Sequence, residues 1–265
     1  MSISKETVHS AQHWFDQGIE RISGGRFNLG LGLLDRAIAV FSETNDVKRL
    51  TLARHHKMYA YLLDKRPEEA ESLFVEVMDG YSFMDDSYGQ ALSLTHLGEC
   101  QAVQDHLAGA VRHLNLARII AETHSLFPVL TYVFQRLGLL FKDRDNHVQA
   151  LRMFELAEML SGTQGRQNLF CRYRHQRAEI LVELGESGRA FALLEDVQTR
   201  LINSKSYQEA INPLSLLRAI YEEMGMQEDL ERIMTLMHLC GQHILQEEGG
   251  RNLQFSDSPP IGGHS

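Results

Sequence analysis

Residues 134–157 read FQRLGLLFKDRDNHVQALRMFELA. Leu137, Leu140 and Phe141 recur at a spacing of three and four. The polar run Lys142-Asp143-Arg144-Asp145-Asn146 interrupts them, and Val148, Leu151, Phe154, Leu156 and Ala157 take the pattern up again. Spacings of three and four mark one face of a helix, whereas a strand would alternate every second residue. The stretch therefore reads as helix, tight break with capping residues, helix.

Forty residues in either direction the same unit returns. One column holds Gly30, Ala70, Ala110, Ala150, Ala190 and Leu230, each five residues after Gly25, Lys65, Asp105, Asp145, Gly185 or Gly225. A second column holds Leu34, Phe74, Leu114, Phe154, Leu194 and Met234, and a third Ala37, Val77, Ala117, Ala157, Val197 and Met237. With 43% of the chain apolar, a column apolar in all copies has a chance of about 0.006, so roughly 0.25 such columns are expected in a period of this length. The second and third columns both qualify, one helical turn apart. The pattern predicts an all-α chain: twelve helices in six antiparallel pairs, centred on turns near 25, 65, 105, 145, 185 and 225, with no strands. The solenoid is expected over 6–246. From Glu247 onward Gly, Ser and Pro dominate, and 247–265 is expected to be a disordered tail. Pro67 suits a first helical turn, and Pro128 and Pro213 fall where first helices would begin.

Composition narrows the function classes. A net charge of −9 with both signs spread along 265 residues argues against a general nucleic-acid binder, which shows a basic face. Cys100, Cys171 and Cys240 are too few and too far apart for a disulfide framework or a paired zinc motif. The polar start has no apolar stretch behind it, and no run approaches a membrane span. A soluble cytoplasmic protein is expected, with no cofactor. No phosphate-cradling glycine loop, Gly-x-Ser-x-Gly or His-Glu-x-x-His is present, so no enzyme is expected.

The copies resemble the tetratricopeptide repeat. The third carries Leu94, Leu97-Gly98, Ala110, Leu114 and Ala117; the fourth carries Phe134, Leu137-Gly138, Phe141, Ala150, Phe154 and Ala157. The first keeps Trp14, Gly18 and Ala37, and the sixth has Arg218 in place of the glycine. The period of 40 exceeds the family's usual 34 by six residues, more than one helical turn. In copies two and five the early signature positions hold Arg54, Lys57, Arg174 and Arg177, which cannot be buried unpaired. The resemblance implies a right-handed α-solenoid whose small residues sit where helices cross. It also implies that the first helix of each pair lines a concave groove that binds a protein or peptide.

Counted on that resemblance, the inward positions include Phe15, Ile19, Leu52, His55, His56, Tyr59, His96, Glu99, Tyr132, Gln135, Arg136, Arg172, His175, Gln176 and Glu179. Phe15 and Ile19 stand where the family's carboxylate clamp would need Lys and Asn, which argues against that mode. Tyr132, Gln135 and Arg136 with Arg172, His175 and Gln176 are expected to form a partner-binding surface, joined by His55, His56, Tyr59 and His96. An aromatic platform beside two guanidinium groups suits a carboxylate or phosphate on an extended peptide. His55, His56 and His96 are expected to approach one another, without the converging ligand set that a metal needs. In the last helix, Leu236, Met237, Leu239 and Cys240 widen the apolar arc beyond one buried face, which points to self-association or partner docking. The expected function is a scaffold or adaptor that holds a partner segment. A peptide- or ligand-responsive regulator is the contrasting reading, and a histidine–metal enzyme is a third.

Overall fold

The computed structural model describes residues 5–248. They form thirteen helical segments: α1 (Lys5–Ser23), α2 (Phe27–Glu43), α3 (Val47–Leu63), α4 (Pro67–Ser72), α5 (Phe74–Phe83), α6 (Ser87–Val103), α7 (Leu107–Thr123), α8 (Phe127–Lys142), α9 (His147–Thr163), α10 (Gln167–Glu183), α11 (Ser187–Asn203), α12 (Tyr207–Met224) and α13 (Gln227–Glu248). No strand occurs among the described residues. α4 and α5 follow one another across Leu73, whose N–H reaches Ala70 O three residues back. Counted as one, they complete six helix pairs. The chain is an all-α repeat solenoid. α13 runs two residues past the expected end, and the rest of the expected tail lies outside the described residues.

The turns repeat every 20 residues, half the period of the apolar columns. Gly25, Asn45, Lys65, Asp85, Asp105, Ser125, Asp145, Gly165, Gly185, Lys205 and Gly225 all have positive φ. Each closes the preceding helix with the same two hydrogen bonds: Asp46 N–H to Phe41 O with Asn45 N–H to Ser42 O, and likewise Arg166 to Ser161 with Gly165 to Gly162. A left-handed residue paired with these bonds satisfies the last carbonyls of a helix. Asp46, Asp86 and Asn146 then accept from the N–H three residues on and cap the next helix. The left-handed conformation costs a residue with a Cβ about 1 kcal/mol. Lys205→Gly should therefore raise the melting temperature by about 2–4 °C in circular dichroism, and Gly185→Ala should lower it by a similar amount. A fall on Lys205→Gly would contradict this account of the turns.

That spacing also corrects one expectation. Pro213 does not open a helix but sits buried inside α12, because the turn at Lys205 starts the helix at Tyr207. Pro67 and Pro128 do fall in first turns, of α4 and α8.

The chain divides into two compact units, one reaching Arg136 and the other starting at Leu137. In the first, Ala70, Ala110, Leu34, Ala37, Val77 and Ala117 are fully buried, and Leu114 nearly so. A Cβ on Gly98 would stand 2.8 Å from Leu114 Cγ. The Leu-Gly signature thus marks a close approach that only glycine permits. In the second unit Ala150, Phe154, Ala157, Ala190, Leu194 and Val197 are fully buried. The columns fail in the last copy, where Met234 is 54% exposed. No described helix covers that side of α13, and Arg218, which stands in place of the glycine, is exposed.

The charged signature positions of copies two and five are paired. Arg54 meets Glu76 at 2.9 Å, and Lys57 meets Asp35 at 2.6 Å. In the second unit Arg174 binds Glu158 at 2.8 Å and also Asp196, while Arg177 binds the other oxygen of Glu158. The partners come from α2, α5, α9 and α11, the second helices of their pairs.

Candidate functional site

In the first unit three successive first helices, α3, α6 and α8, bring a polar and aromatic cluster together. His55 is fully buried; its Nδ1 lies 2.8 Å from the Tyr81 hydroxyl and its Nε2 lies 3.0 Å from His96 Nδ1. The Tyr59 ring stacks on His96 with centroids 4.7 Å apart, and the Tyr132 ring meets His96 edge-on at 6.0 Å. His56 packs its ring edge against Phe15 at 5.4 Å. Three imidazoles at one place are kept neutral by burial. It lowers His56 to about 4 and, with nearby Arg136 and His56, lowers His96 to about 3. His55 is held well below its usual range by burial and by its two histidine neighbours.

The far side of the cluster is an ion pair. Arg136 contacts Glu99 Oε1, the Tyr132 hydroxyl donates to the same oxygen at 2.8 Å, and Arg136 Nη2 donates to that hydroxyl at 3.1 Å. Burial raises the Glu99 carboxyl, against the opposing pull of Arg136 and Tyr132. Burial works against the charge of Arg136, and Glu99, Tyr132 and Tyr59 together outweigh that penalty and keep it charged.

This geometry corrects the expected anion platform. Tyr132 is only 2% exposed, and its ring is not an open surface. Arg136 already spends its charge on Glu99, one repeat earlier in the chain. Gln135, His55 and His96 are buried as well, while His56, Tyr59 and Arg136 are partly exposed. The expected approach of the histidines is seen for His55 and His96. Among the described residues no three His, Cys, Asp or Glu side chains converge to hold a metal. Cys100 is buried beside Met58 and Ala70, and burial raises its thiol to about 12.

In the second unit Arg172, His175 and Gln176 lie partly exposed on α10. His175 Nδ1 stands 3.8 Å from Glu179, and Lys142 donates to Glu179 at 2.8 Å. Burial lowers His175, Glu179 raises it, and Lys142 lowers it again, for a net fall. On α13, Cys240 is buried and Leu236 and Met237 are partly covered by the core, which removes Cys240 from any exposed face. Leu239 is exposed, together with Met234 and Leu245.

Two members of the first cluster carried no signal of their role. Glu99 counts as one inward position among many, and Tyr81 lies on a second helix outside every inward position. Only its distance to His55 shows what it does.

No protein-family model matches the chain, and no curated protein matches its sequence. Solved structures do match in fold. The apo form of RapI aligns with TM-score 0.65 and 15% identity over 94% of this chain and 88% of that one. A Signal Transduction ATPase with Numerous Domains from Pyrococcus horikoshii, with a tetratricopeptide repeat sensor, aligns with TM-score 0.68 and 16% identity, over 86% of this chain and 35% of that one. The fold is that of a tetratricopeptide-type repeat solenoid. A Rap protein complexed with Competence and Sporulation Factor also aligns, with TM-score 0.60 and 13% identity over 85% of this chain and 67% of that one. Within this tetratricopeptide-type fold, the cluster at His96 lies on the helices that the resemblance assigns to the inner face. No helix of the described residues is long and apolar enough to cross a membrane.

Proposed function

We propose that the chain is a protein-interaction scaffold that holds a peptide segment of a partner against the first helices of its first unit. The observation that carries this reading is the row formed by Tyr59, His96, Glu99, Tyr132 and Arg136 across α3, α6 and α8. The apolar columns that hold the pairs together lie on the second helices, so these polar groups are not needed to close them. Burying them costs stability that apolar side chains of similar size would not. A binding role accounts for that cost, whereas a purely structural one does not. The second unit adds a separate polar face at Arg172, His175 and Gln176.

A displayed peptide library panned on the intact protein tests the reading. Peptides should enrich on the wild type, and Tyr59→Ala should weaken them about tenfold, the worth of one aromatic contact. No enrichment, or binding indifferent to Tyr59→Ala, would sink it. A ligand-responsive regulator is the second reading, favoured by the Rap protein that aligns with its factor bound. For a scaffold, a selected peptide should slow hydrogen exchange in the first unit alone; altered exchange in the second unit would favour the regulator.

A further inference from the structure

The two ends of the repeat array carry opposite surfaces. On each first helix the positions equivalent to 9, 13, 16 and 20 turn toward the second helix before it: Ala53 packs with Ala37 and Phe41, and Ala60 with Leu34. In copies two to six none of these positions is exposed, and Ala53, Ala60, Val133, Leu140, Tyr173 and Ile180 are buried. In α1, which no described helix precedes, they hold His9, His13, Asp16 and Glu20, all exposed. This end has the polar outer face that a solenoid needs where its stacking stops.

α13 has no such face. Its stripe Leu230, Met234, Met237 and Gly241 continues positions that are buried in copies one to five, Phe74 alone being half-buried. Here Leu230, Met237 and Gly241 are half-buried, Met234 is 54% exposed, and Leu245, one turn further on, is 72% exposed. No described helix follows α13 to cover them. An uncovered apolar stripe that runs the length of a helix is a docking face. Head-to-tail stacking would set it against α1 of another copy and bury Asp16 and Glu20 on it without partners, which is strongly unfavourable.

A second α13, running antiparallel about a two-fold axis, fits instead. With the axis between Met237 and His238, Met234 of one copy falls opposite Gly241 of the other, and Leu230 opposite Leu245. A long side chain thus meets the one position of the stripe that has none. A Cβ on Gly241 would find no atom within 4 Å in the single chain. Beside the stripe Glu231 falls opposite Gln242, so the seam sets no like charges against each other. A different protein would have to supply both the bulk and the gap in that order, whereas α13 supplies both itself. We infer that the chain pairs with a second copy of itself through an antiparallel, two-fold contact of α13 along Leu230, Met234, Met237, Gly241 and Leu245. The inference does not depend on the scaffold reading; combined with it, it makes the scaffold bivalent. One helix pair about 30 Å long is a small interface, so a dissociation constant in the micromolar range is expected.

Sedimentation equilibrium of the full chain tests this. Twice the chain mass should appear at high micromolar concentration and give way to the single mass on dilution. Gly241→Gln should weaken the pairing at least about tenfold, because the new side chain collides with Met234 across the axis. Measured at a dilution where wild type is monomeric, the same variant should melt no lower than wild type, since glycine is the poorer helix former and the single chain has room at this position. Met234→Glu should give a monomer as well. A wild type that stays monomeric up to about 1 mM, or a dimer that survives both variants, would overturn the inference. Hydrogen exchange then names the other occupant. A monomer whose exchange over 230–241 quickens when residues 249–265 are removed would assign the face to the chain's own end. A monomer indifferent to that removal would leave the face to a different protein, and either result refutes the pairing.

Discussion

Acidification from about pH 7.5 to about pH 5 should lower the melting temperature by about 10 °C, well before ordinary carboxylates titrate. The sign follows from the buried imidazoles. His56 and His96 titrate near 4 and near 3 in the fold, against about 6.5 in an unfolded chain. The unfolded chain takes up protons below its own value and the folded one does not, so stability is full above about pH 6.5 and falls as the pH drops toward the folded values. At about pH 5 each of these two rings contributes a loss of about 2 kcal/mol, and His55 acts in the same direction. Glu99 works the other way: burial raises its carboxyl, so as the pH falls the fold takes up that proton before the unfolded chain does. It therefore softens the loss at the acid end. His56→Leu should remove about 2 kcal/mol of the acid sensitivity and leave the rest. Circular dichroism melts at the two pH values decide it. A wild-type melting temperature unchanged within about 2 °C would show that the rings are not buried as neutral groups.

The helix pairs were legible because the residues that hold them repeat. Ala117 and Ala157, or Leu114 and Phe154, occupy equivalent crossings, and a crossing admits few side-chain sizes. The half-period was not legible, because the left-handed position carries Asn45, Asp85, Ser125 and Lys205 as well as glycine. None of those residues punctuates a sequence as glycine does, yet all accept the conformation at modest cost. The site was half legible. Its helices and its facing positions follow from the repeat, and the meeting of His55 with His96 follows from two positions about one period apart. What Arg136 meets does not follow. A helical side chain leans toward the N-terminus of its own helix, so its neighbour on the preceding first helix is offset from the equivalent position by an amount that the crossing sets. Glu99 lies 37 residues before Arg136 rather than 40, and that offset turns an apparent free cation into a closed ion pair.

In the second unit too, a buried carboxylate closes a pair of cations. Glu158→Leu should destabilise the protein by about 3–5 kcal/mol, because it strands two guanidinium groups that the carboxylate holds. Glu158 is 5% exposed and receives Arg174 on one oxygen and Arg177 on the other. After the change Arg174 keeps Asp196, whereas among the described residues Arg177 keeps only Glu155, at 3.6 Å. The larger share of the loss therefore falls on Arg177. Its charge is the one left most fully desolvated without compensation. This predicts an order among variants that simple loss of packing would not produce. Adding Arg177→Met to Glu158→Leu should recover part of the lost stability, because it removes the stranded charge and leaves an apolar stem in its place. Arg174→Met in the same background should recover less, because Asp196 still satisfies that guanidinium. Urea unfolding of the four proteins measures the order. Additive losses, with the double variants less stable than Glu158→Leu alone, would mean that the network contributes through packing rather than through paired charge.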